Sequence, residues 1–193
     1  VLAALTRLRL LACHPYLGGS DEESSKLERF LQITDELREE GHRALVFSQF
    51  TKHLDLVRAA LDARRVRYQY LDGATPAPER DRRVAAFQAG EGELFLISLK
   101  AGGTGLNLTG ADYVIHLDPW WNPAVEDQAT DRAHRIGQTR PVTVIRLVSR
   151  GTIEEKILAM HETKRSLVEG LLQGTDVGAS LSVDDMMRLL REA

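Results

Sequence analysis

The sequence predicts an α/β fold: a doubly wound, mainly parallel sheet with helices on both faces. From residue 44 onward, apolar strands alternate with helical segments at short spacing. The first predicted strand, Ala44–Ser48, is a continuous apolar run, as expected of a parallel strand that is buried on both faces. Capping-box patterns at Ser25–Glu28 and Thr152–Glu155 mark the starts of two helices.

Residues 1–24 are predicted to be a short helical piece that ends at Pro15, followed by a polar linker. The first helix of the domain has Ser25 as its N-cap and ends at Gly41, because glycine favours the left-handed conformation of a C-cap. We expect the sheet domain to span 25–172. Residues 173–193 then form a loose linker and a short amphipathic helix, Val183–Leu190, which either braces a neighbouring domain or caps this one.

Four more strands and four more helices complete the predicted domain. The strands are expected at Arg67–Leu71, Leu94–Ser98, Tyr113–Leu117 and Thr143–Val148, and a helix from Lys52 to Ala63 precedes them. Another helix begins with Thr75 as N-cap and Pro76 at the first helical position. Asn122 is likewise the predicted N-cap, and Pro123 the first helical residue, of a helix that is predicted to reach Ile136. The Thr152 capping box begins a long helix that is predicted to end at Leu172.

Composition excludes several classes of protein. No apolar run approaches the roughly 18 residues of a membrane span, and the first residues lack the apolar core of a signal peptide. Cys13 is the only cysteine, which excludes an intrachain disulfide and a cysteine-based zinc cluster and fits a reducing compartment, bacterial cytoplasm or eukaryotic nucleus. The net charge of −3 means that the domain as a whole lacks the basic surface typical of a dedicated nucleic-acid-binding protein. Because the sequence starts at Val1, we expect it to be a segment of a longer polypeptide.

Three polar segments follow predicted strands, where open parallel sheets bind ligands. The middle segment, Lys100–Leu108, is rich in glycine, and its consecutive backbone N–H groups could hold phosphate oxygens with help from the Thr104 hydroxyl. A tight turn that needs glycine explains the same pattern. The other two segments are Ser48–Thr51 and Asp118–Asn122.

Two arginines stand out in the helix after Asn122. With Gln128, they fall at positions i, i+4 and i+7, so Arg132 and Arg135 are predicted to project from one helical face. A solvated basic face, neutralised by nearby aspartates, explains this spacing equally simply.

The tandem tryptophans Trp120 and Trp121 suit either core packing or a stacking platform. His116 is expected to be a core histidine, and the histidines show no metal-ligand spacing along the sequence. Neither a G-x-S-x-G nucleophile motif, a phosphate loop nor a dinucleotide fingerprint is present in the sequence.

Taken together, the segments resemble the second RecA-like lobe of SWI/SNF-family ATPases, in helicase superfamily two. The resemblance covers most of the chain, from Leu5 to Leu172. It rests on four strings, of which the last is the most specific: Leu45–Phe50, Ser98–Leu108, Asp118–Pro123 and Asp127–Gln138. The string Cys13–Leu17 is similar to the family's approach to this lobe.

The resemblance implies a role for each site residue. Arg132 and Arg135 would be arginine fingers toward the γ-phosphate of ATP, which the first lobe of the same polypeptide holds with Mg²⁺. Gly105 and Gln128 would line the nucleotide side. Contacts to double-stranded DNA would come from Ser48, Gln49, Gly103 and Thr104. Trp121 would couple cleft closure to DNA movement, and no resident metal is implied in this lobe.

The function implied is that of a C-terminal motor lobe of an ATP-dependent DNA translocase or remodeller, inactive as an ATPase alone. Possible substrates include nucleoprotein, and no membrane partner is expected. Two alternatives stay open: a binding module that kept the fold without catalysis, and a strand-separating helicase. A nicotinamide enzyme is excluded by the missing fingerprint.

Overall fold

The computed structural model describes residues 2–101, 106–134 and 138–172, and a five-stranded parallel sheet lies at its centre. The strands are β1 Ala44–Ser48, β2 Tyr68–Leu71, β3 Leu94–Ser98, β4 Tyr113–His116 and β5 Thr143–Arg146. Their order is β2-β3-β1-β4-β5, and each adjacent pair is parallel. The predicted α/β class is therefore confirmed, and each strand lies within two residues of its predicted ends.

Six α-helices are described, with a 3-10 turn at Pro15–Gly18. The helices are α1 Leu2–Cys13, α2 Ser25–Glu39, α3 Thr51–Ala63, α4 Ala77–Gln88, α5 Pro123–Thr130 and α6 Ile153–Leu172. The second helix ends as predicted, since Gly41 follows it with a φ of 73°. Among the described helices, none has the length and apolar character that crossing a membrane requires.

The sheet is buried on both faces by separate hydrophobic cores. Apolar side chains of α2 and α3 cover one face, where they contact Val46, Leu96 and Ile115. The other face packs Phe47, Phe95 and Val114 against α4, α5 and the segment after β3. Because alternate residues of a strand point to opposite faces, the continuous apolar runs of the sequence supply both cores.

Two predicted helix starts are corrected by the structure. Ser24, not Ser25, is the N-cap of α2, because its hydroxyl accepts from Leu27 N at 3.2 Å. Pro76 is the N-cap of α4, while Thr75 instead exchanges hydrogen bonds with Asp72. The predicted caps Asn122 and Thr152 are confirmed, since each accepts a hydrogen bond from the backbone two residues on.

The predicted extent of α5 is wrong. The helix was expected to reach Ile136, but it ends at Thr130. Beyond it, Arg132 N donates to Ala129 O and Ala133 N to Thr130 O, three residues back, although His134 N still donates to Thr130 O, so the regular α-helical ladder gives way to turns. Gln128 is exposed and Arg132 is buried, so these two side chains do not share one helical face.

The first and last described helices pack against each other. Leu5 and Ala12 of α1 form a third apolar cluster with Ile153 and Ile157 of α6, and Trp121 packs against it. Residues 1–24, which we predicted as a segment before the domain, thus contact its last helix through α1. The predicted helix Val183–Leu190 lies outside the described residues.

Candidate nucleotide and nucleic-acid interface

The carboxyl ends of β1, β3 and β4 form the candidate site. Ser48 and Ser98 are register partners at the ends of β1 and β3. The segment Leu117–Asn122, here called the tryptophan loop, connects β4 to α5 and lies beside them. Leu117 N donates to Phe47 O at 2.9 Å, which extends the pairing of β4 with β1 into this loop.

Asp118, in the tryptophan loop, binds the residues at the end of β1. It is 2% exposed, accepts a hydrogen bond from Ser48 Oγ, and accepts from Gln49 N at 3.3 Å. Burial acts to raise the pKa of Asp118, but His53, Ser48 and Lys26 outweigh it and hold the pKa below its ordinary value. The carboxylate is therefore an acceptor that fixes the backbone where β1 ends.

An open cleft of about 300 Å³ lies next to this edge. It is lined by Gln49, Thr51, Ser98, Lys100 and the loop after β2, Asp72–Ala74. Gln49 Nε2 is shielded from solvent, and within the described parts of the chain nothing accepts a hydrogen bond from it. A donor in that situation is costly to leave unsatisfied, so the Gln49 amide would gain an acceptor by turning toward a ligand in the cleft.

The predicted DNA contacts differ in their accessibility. Gln49 and the exposed Lys100 reach the cleft, whereas Ser48 is fully buried and its hydroxyl is engaged by Asp118. The other two predicted contacts, Gly103 and Thr104, lie outside the described residues. Sequence reasoning missed the loop Asp72–Ala74, although the aspartate and glycine that close a predicted strand marked it as another strand-end loop.

The glycine-rich segment and the arginine segment meet in space. Leu108 N, at the end of the glycine-rich segment, donates at 3.0 Å to Arg132 O, which follows the end of α5. Arg132 is 6% exposed, Gln128 is exposed, and Ala129 and Ala133 pack on the sheet between them. Arg135 and Gly105 lie outside the described residues.

Charged and polar side chains that are far apart in the sequence are buried together behind the site. Lys26 donates to both oxygens of Glu154 at 2.6 Å, and Glu154 also accepts from Ser149 N at 2.8 Å. Burial raises the pKa of Glu154 against the opposing effect of Lys26. Burial, helped by Asp118, raises the pKa of Cys13 well above its ordinary value, so this thiol is protonated.

The fold also gathers three side chains of metal-ligand type that sequence spacing did not reveal. Potential ligand atoms of Cys13, His53 and Asp118 lie within 4.8 Å of one another, and all three residues are buried. Arg9 and Lys26 act electrostatically on the same cluster and offset the charge of its one carboxylate, Asp118. The donor set is therefore balanced by cationic side chains, which disfavours a further cation.

With this geometry in view, the chain can be compared with known proteins. Residues 25–137 match the family described as the helicase conserved C-terminal domain. The chain belongs to this family. Among its relatives, it is 41% identical over 197 residues to the putative ATP-dependent helicase/translocase YwqA of Bacillus subtilis, covering 98% of the chain. It is 44% identical over 163 residues to the chromatin-remodeling ATPase INO80 of Neurospora crassa, covering 84%.

Solved structures agree with the fold and with the SWI/SNF group. The C-terminal part of the Fun30 ATPase domain aligns with a TM-score of 0.70 at 30% identity over 86% of the chain and 50% of that structure. The Sulfolobus solfataricus SWI2/SNF2 ATPase core, solved with double-stranded DNA, aligns with a TM-score of 0.72 at 38% identity over 86% and 36%. The chain is thus a SWI/SNF-type helicase C-terminal lobe of RecA-like fold. It spans 21% of the length of YwqA and 8% of the length of INO80.

Proposed function

We propose that the chain is the C-terminal motor lobe of an ATP-dependent translocase that moves on double-stranded DNA. The observation that carries the proposal is the contact between the glycine-rich and arginine segments, from Leu108 N to Arg132 O, which brings the two segments together in the folded domain. The named activities of its relatives, an ATP-dependent helicase/translocase and a chromatin-remodeling ATPase, support it. Nucleoprotein is a compatible substrate.

On the nucleotide side, we assign ATP with Mg²⁺ to a first lobe of the same polypeptide, because this sequence has no phosphate loop. Arg132 and Arg135 act as arginine fingers from this lobe, and Gln128 and Gly105 line the same side. A guanidinium stabilises the charge that develops on phosphoryl oxygens in the transition state, and such fingers contribute about 10³–10⁵ in rate. Since Arg132 is 6% exposed, it serves this role after a change that brings its guanidinium to the cleft.

On the DNA side, the proposed contacts are few and local. Gln49 Nε2 is a donor without an acceptor among the described residues, and Lys100 adds an exposed cation beside it. Gly103 and Thr104 are assigned to the same strand of DNA. The burial of Ser48 favours an indirect role, in which its hydroxyl holds Asp118 and thereby the Gln49 backbone. A net charge of −3 is compatible with this small set of phosphate contacts.

The experiment compares the 193-residue chain with its full-length parent. The chain alone is expected to hydrolyse no ATP and to bind duplex DNA weakly, since it lacks the phosphate loop. The parent is expected to show DNA-stimulated ATP turnover and to displace a third strand from a triplex as it translocates.

Three results would contradict the proposal in different ways. ATP turnover by the chain alone would refute the division of labour between lobes. Separation of a forked duplex by the parent would indicate a strand-separating helicase. A parent that binds DNA but neither binds nor hydrolyses ATP would indicate a binding module.

A further inference from the structure

Two helices from opposite ends of the described chain hold the tryptophan loop. Arg9 of α1 donates from Nη2 to Pro119 O at 2.8 Å. The next carbonyl along the loop, Trp120 O, is hydrogen-bonded by Nε2 of His161 in α6. Both side chains are buried, with 5% of Arg9 and 3% of His161 exposed. Consecutive carbonyls of one loop are therefore fixed by α1 and α6, which also pack against each other.

Arg9 does more than make one hydrogen bond. Its guanidinium carbon lies 4.7 Å from the ring centre of Trp121, 5.4 Å from that of Trp120 and 5.3 Å from that of Phe50. A planar guanidinium can stack on rings while its edge donates to a carbonyl, which an ammonium cannot do. Burial lowers the pKa of Arg9, and Asp118, Cys13 and Glu154 oppose that shift. Because a guanidinium does not lose its proton in proteins, the cation persists.

The loop in turn contacts both parts of the candidate site. At its start, Asp118 holds the hydroxyl of Ser48 and the backbone of Gln49. In its middle, Trp120 N donates at 2.8 Å to Glu126, a fully buried residue of the helix that carries Gln128. The loop is therefore hydrogen-bonded both to the end of β1, which carries the proposed DNA contacts, and to the helix that carries Gln128.

We propose that Arg9 and His161 are positioning residues of the tryptophan loop: by fixing the carbonyls of Pro119 and Trp120, they hold Trp121, the coupling residue that the family resemblance implies. They transmit movement of α1 and α6 to the edge where DNA and nucleotide are bound, and neither touches the reacting atoms. This inference rests on the proposed function. Contiguous hydrogen bonds and packed side chains are the physical means by which such coupling travels, and measured coupling decides whether it does.

The chain provides its own probe of the first step. Its only two tryptophans, Trp120 and Trp121, both lie in the loop, so tryptophan emission reports on the loop alone. Arg9→Lys and His161→Ala are expected to increase quenching by acrylamide. Arg7→Ala, an exposed site on the same helix, is the matched control and leaves quenching unchanged. Quenching that matches the wild type in both test variants would overturn the anchoring role.

The coupling itself is measured in the full-length parent, as duplex translocation per ATP hydrolysed. For Arg9→Lys and His161→Ala, this ratio is expected to fall roughly two- to thirtyfold, the range expected of coupling energies in such networks. Turnover stays near that of the wild type, and His161→Gln, which keeps an N–H donor, restores the ratio.

Equal losses of turnover and translocation, or no loss of either, would overturn the inference. If the His161→Ala variant does not fold, Arg9→Lys alone decides, because it keeps the charge and most of the side-chain volume. A wild-type parent without DNA-stimulated turnover would instead refute the proposed function, whatever the quenching results.

Discussion

His116 lies in β4 with its ring stacked on Phe47, the ring centres 5.7 Å apart, and its Nε2 3.3 Å from Thr130 Oγ1. Burial lowers the pKa of His116 from 6.5 to about 4, with Arg146 acting in the same direction and Glu126 against it. The folded state thus favours the neutral form of the His116 imidazole. Its stabilising effect is complete above pH 6.5 and is lost as the pH falls toward 4.

The first prediction is that acidification from pH 6.5 to about 4 lowers the free energy of unfolding by about 3 kcal/mol through this one residue. His116→Phe keeps the stacking and cannot titrate, so urea unfolding of this variant should depend less on pH in that window. Any contribution of other titrating groups is common to both proteins. Identical pH dependence of the wild type and His116→Phe would contradict the assignment.

The second prediction concerns the buried pair Lys26 and Glu154, whose side chains are 4% and 1% exposed. Lys26→Met should lower the free energy of unfolding by about 3–5 kcal/mol, because it leaves Glu154 buried without its cation. The double variant Lys26→Met/Glu154→Gln should recover part of that loss. Chemical denaturation of the four proteins measures both effects.

A surface pair of nearly the same length serves as the control. Arg64 lies 2.7 Å from Asp35, but the two side chains are 45% and 44% exposed. Arg64→Met should therefore cost less than about 1 kcal/mol, since solvent screens the pair. If Lys26→Met lowered the free energy of unfolding as little as Arg64→Met does, burial would not strengthen the pair of Lys26 and Glu154.

At the scale of single elements, α5 depends on its N-cap. Asn122 Oδ1 accepts from Ala124 N at 3.2 Å, and Pro123 fixes the first helical position. The third prediction is that Asn122→Ala lowers the free energy of unfolding by about 1 kcal/mol, whereas Asn122→Asp, which can still cap the helix, keeps most of the wild-type stability. Urea denaturation checks both variants, and equal effects of alanine and aspartate would refute the capping role.

The sequence predicted regular elements well because their signals are local. The alternation of strand-like and helical segments located all five strands, with Ala44–Ser48 as a continuous apolar run, and Asn122 and Thr152 located two helix starts. The end of α5 was missed because it depends on contacts that are distant in the sequence. The carbonyl of Arg132 accepts from Leu108 N, and the tight turns after Thr130 form against the sheet. Helical spacing therefore misplaced Arg132 relative to Gln128.

The candidate site was predicted in part, for the same reason. Strand-end segments identified Ser48–Thr51 and Asp118–Asn122, which the structure brings together. The buried network of Arg9, Lys26, His53, Glu154 and His161 was not predicted, because its members are joined only by tertiary folding. Each of these residues looks like an ordinary surface residue when only its neighbours in sequence are considered.

At the scale of the whole molecule, the sheet and its two cores place the carboxyl ends of the strands at one edge, and two helices hold the loop beside that edge. These helices are α1 and α6, and the tryptophan loop connects them to the ends of β1 and β4. We propose that a first lobe faces this edge in the parent polypeptide and that closure between the lobes brings the arginines to the nucleotide. On this proposal, the lobe depends on a partner for catalysis.

In the proposed function, guanidinium groups of this lobe act on a nucleotide that another domain holds. The most direct measurement is steady-state ATP turnover by the DNA-bound parent in which Arg132 or Arg135 is replaced by lysine, with ATP and DNA affinities measured in parallel. We expect turnover to be lower by about 10³ or more with both affinities nearly unchanged, since lysine keeps the charge and loses the planar fork. Turnover equal to that of the wild type in both variants would contradict it.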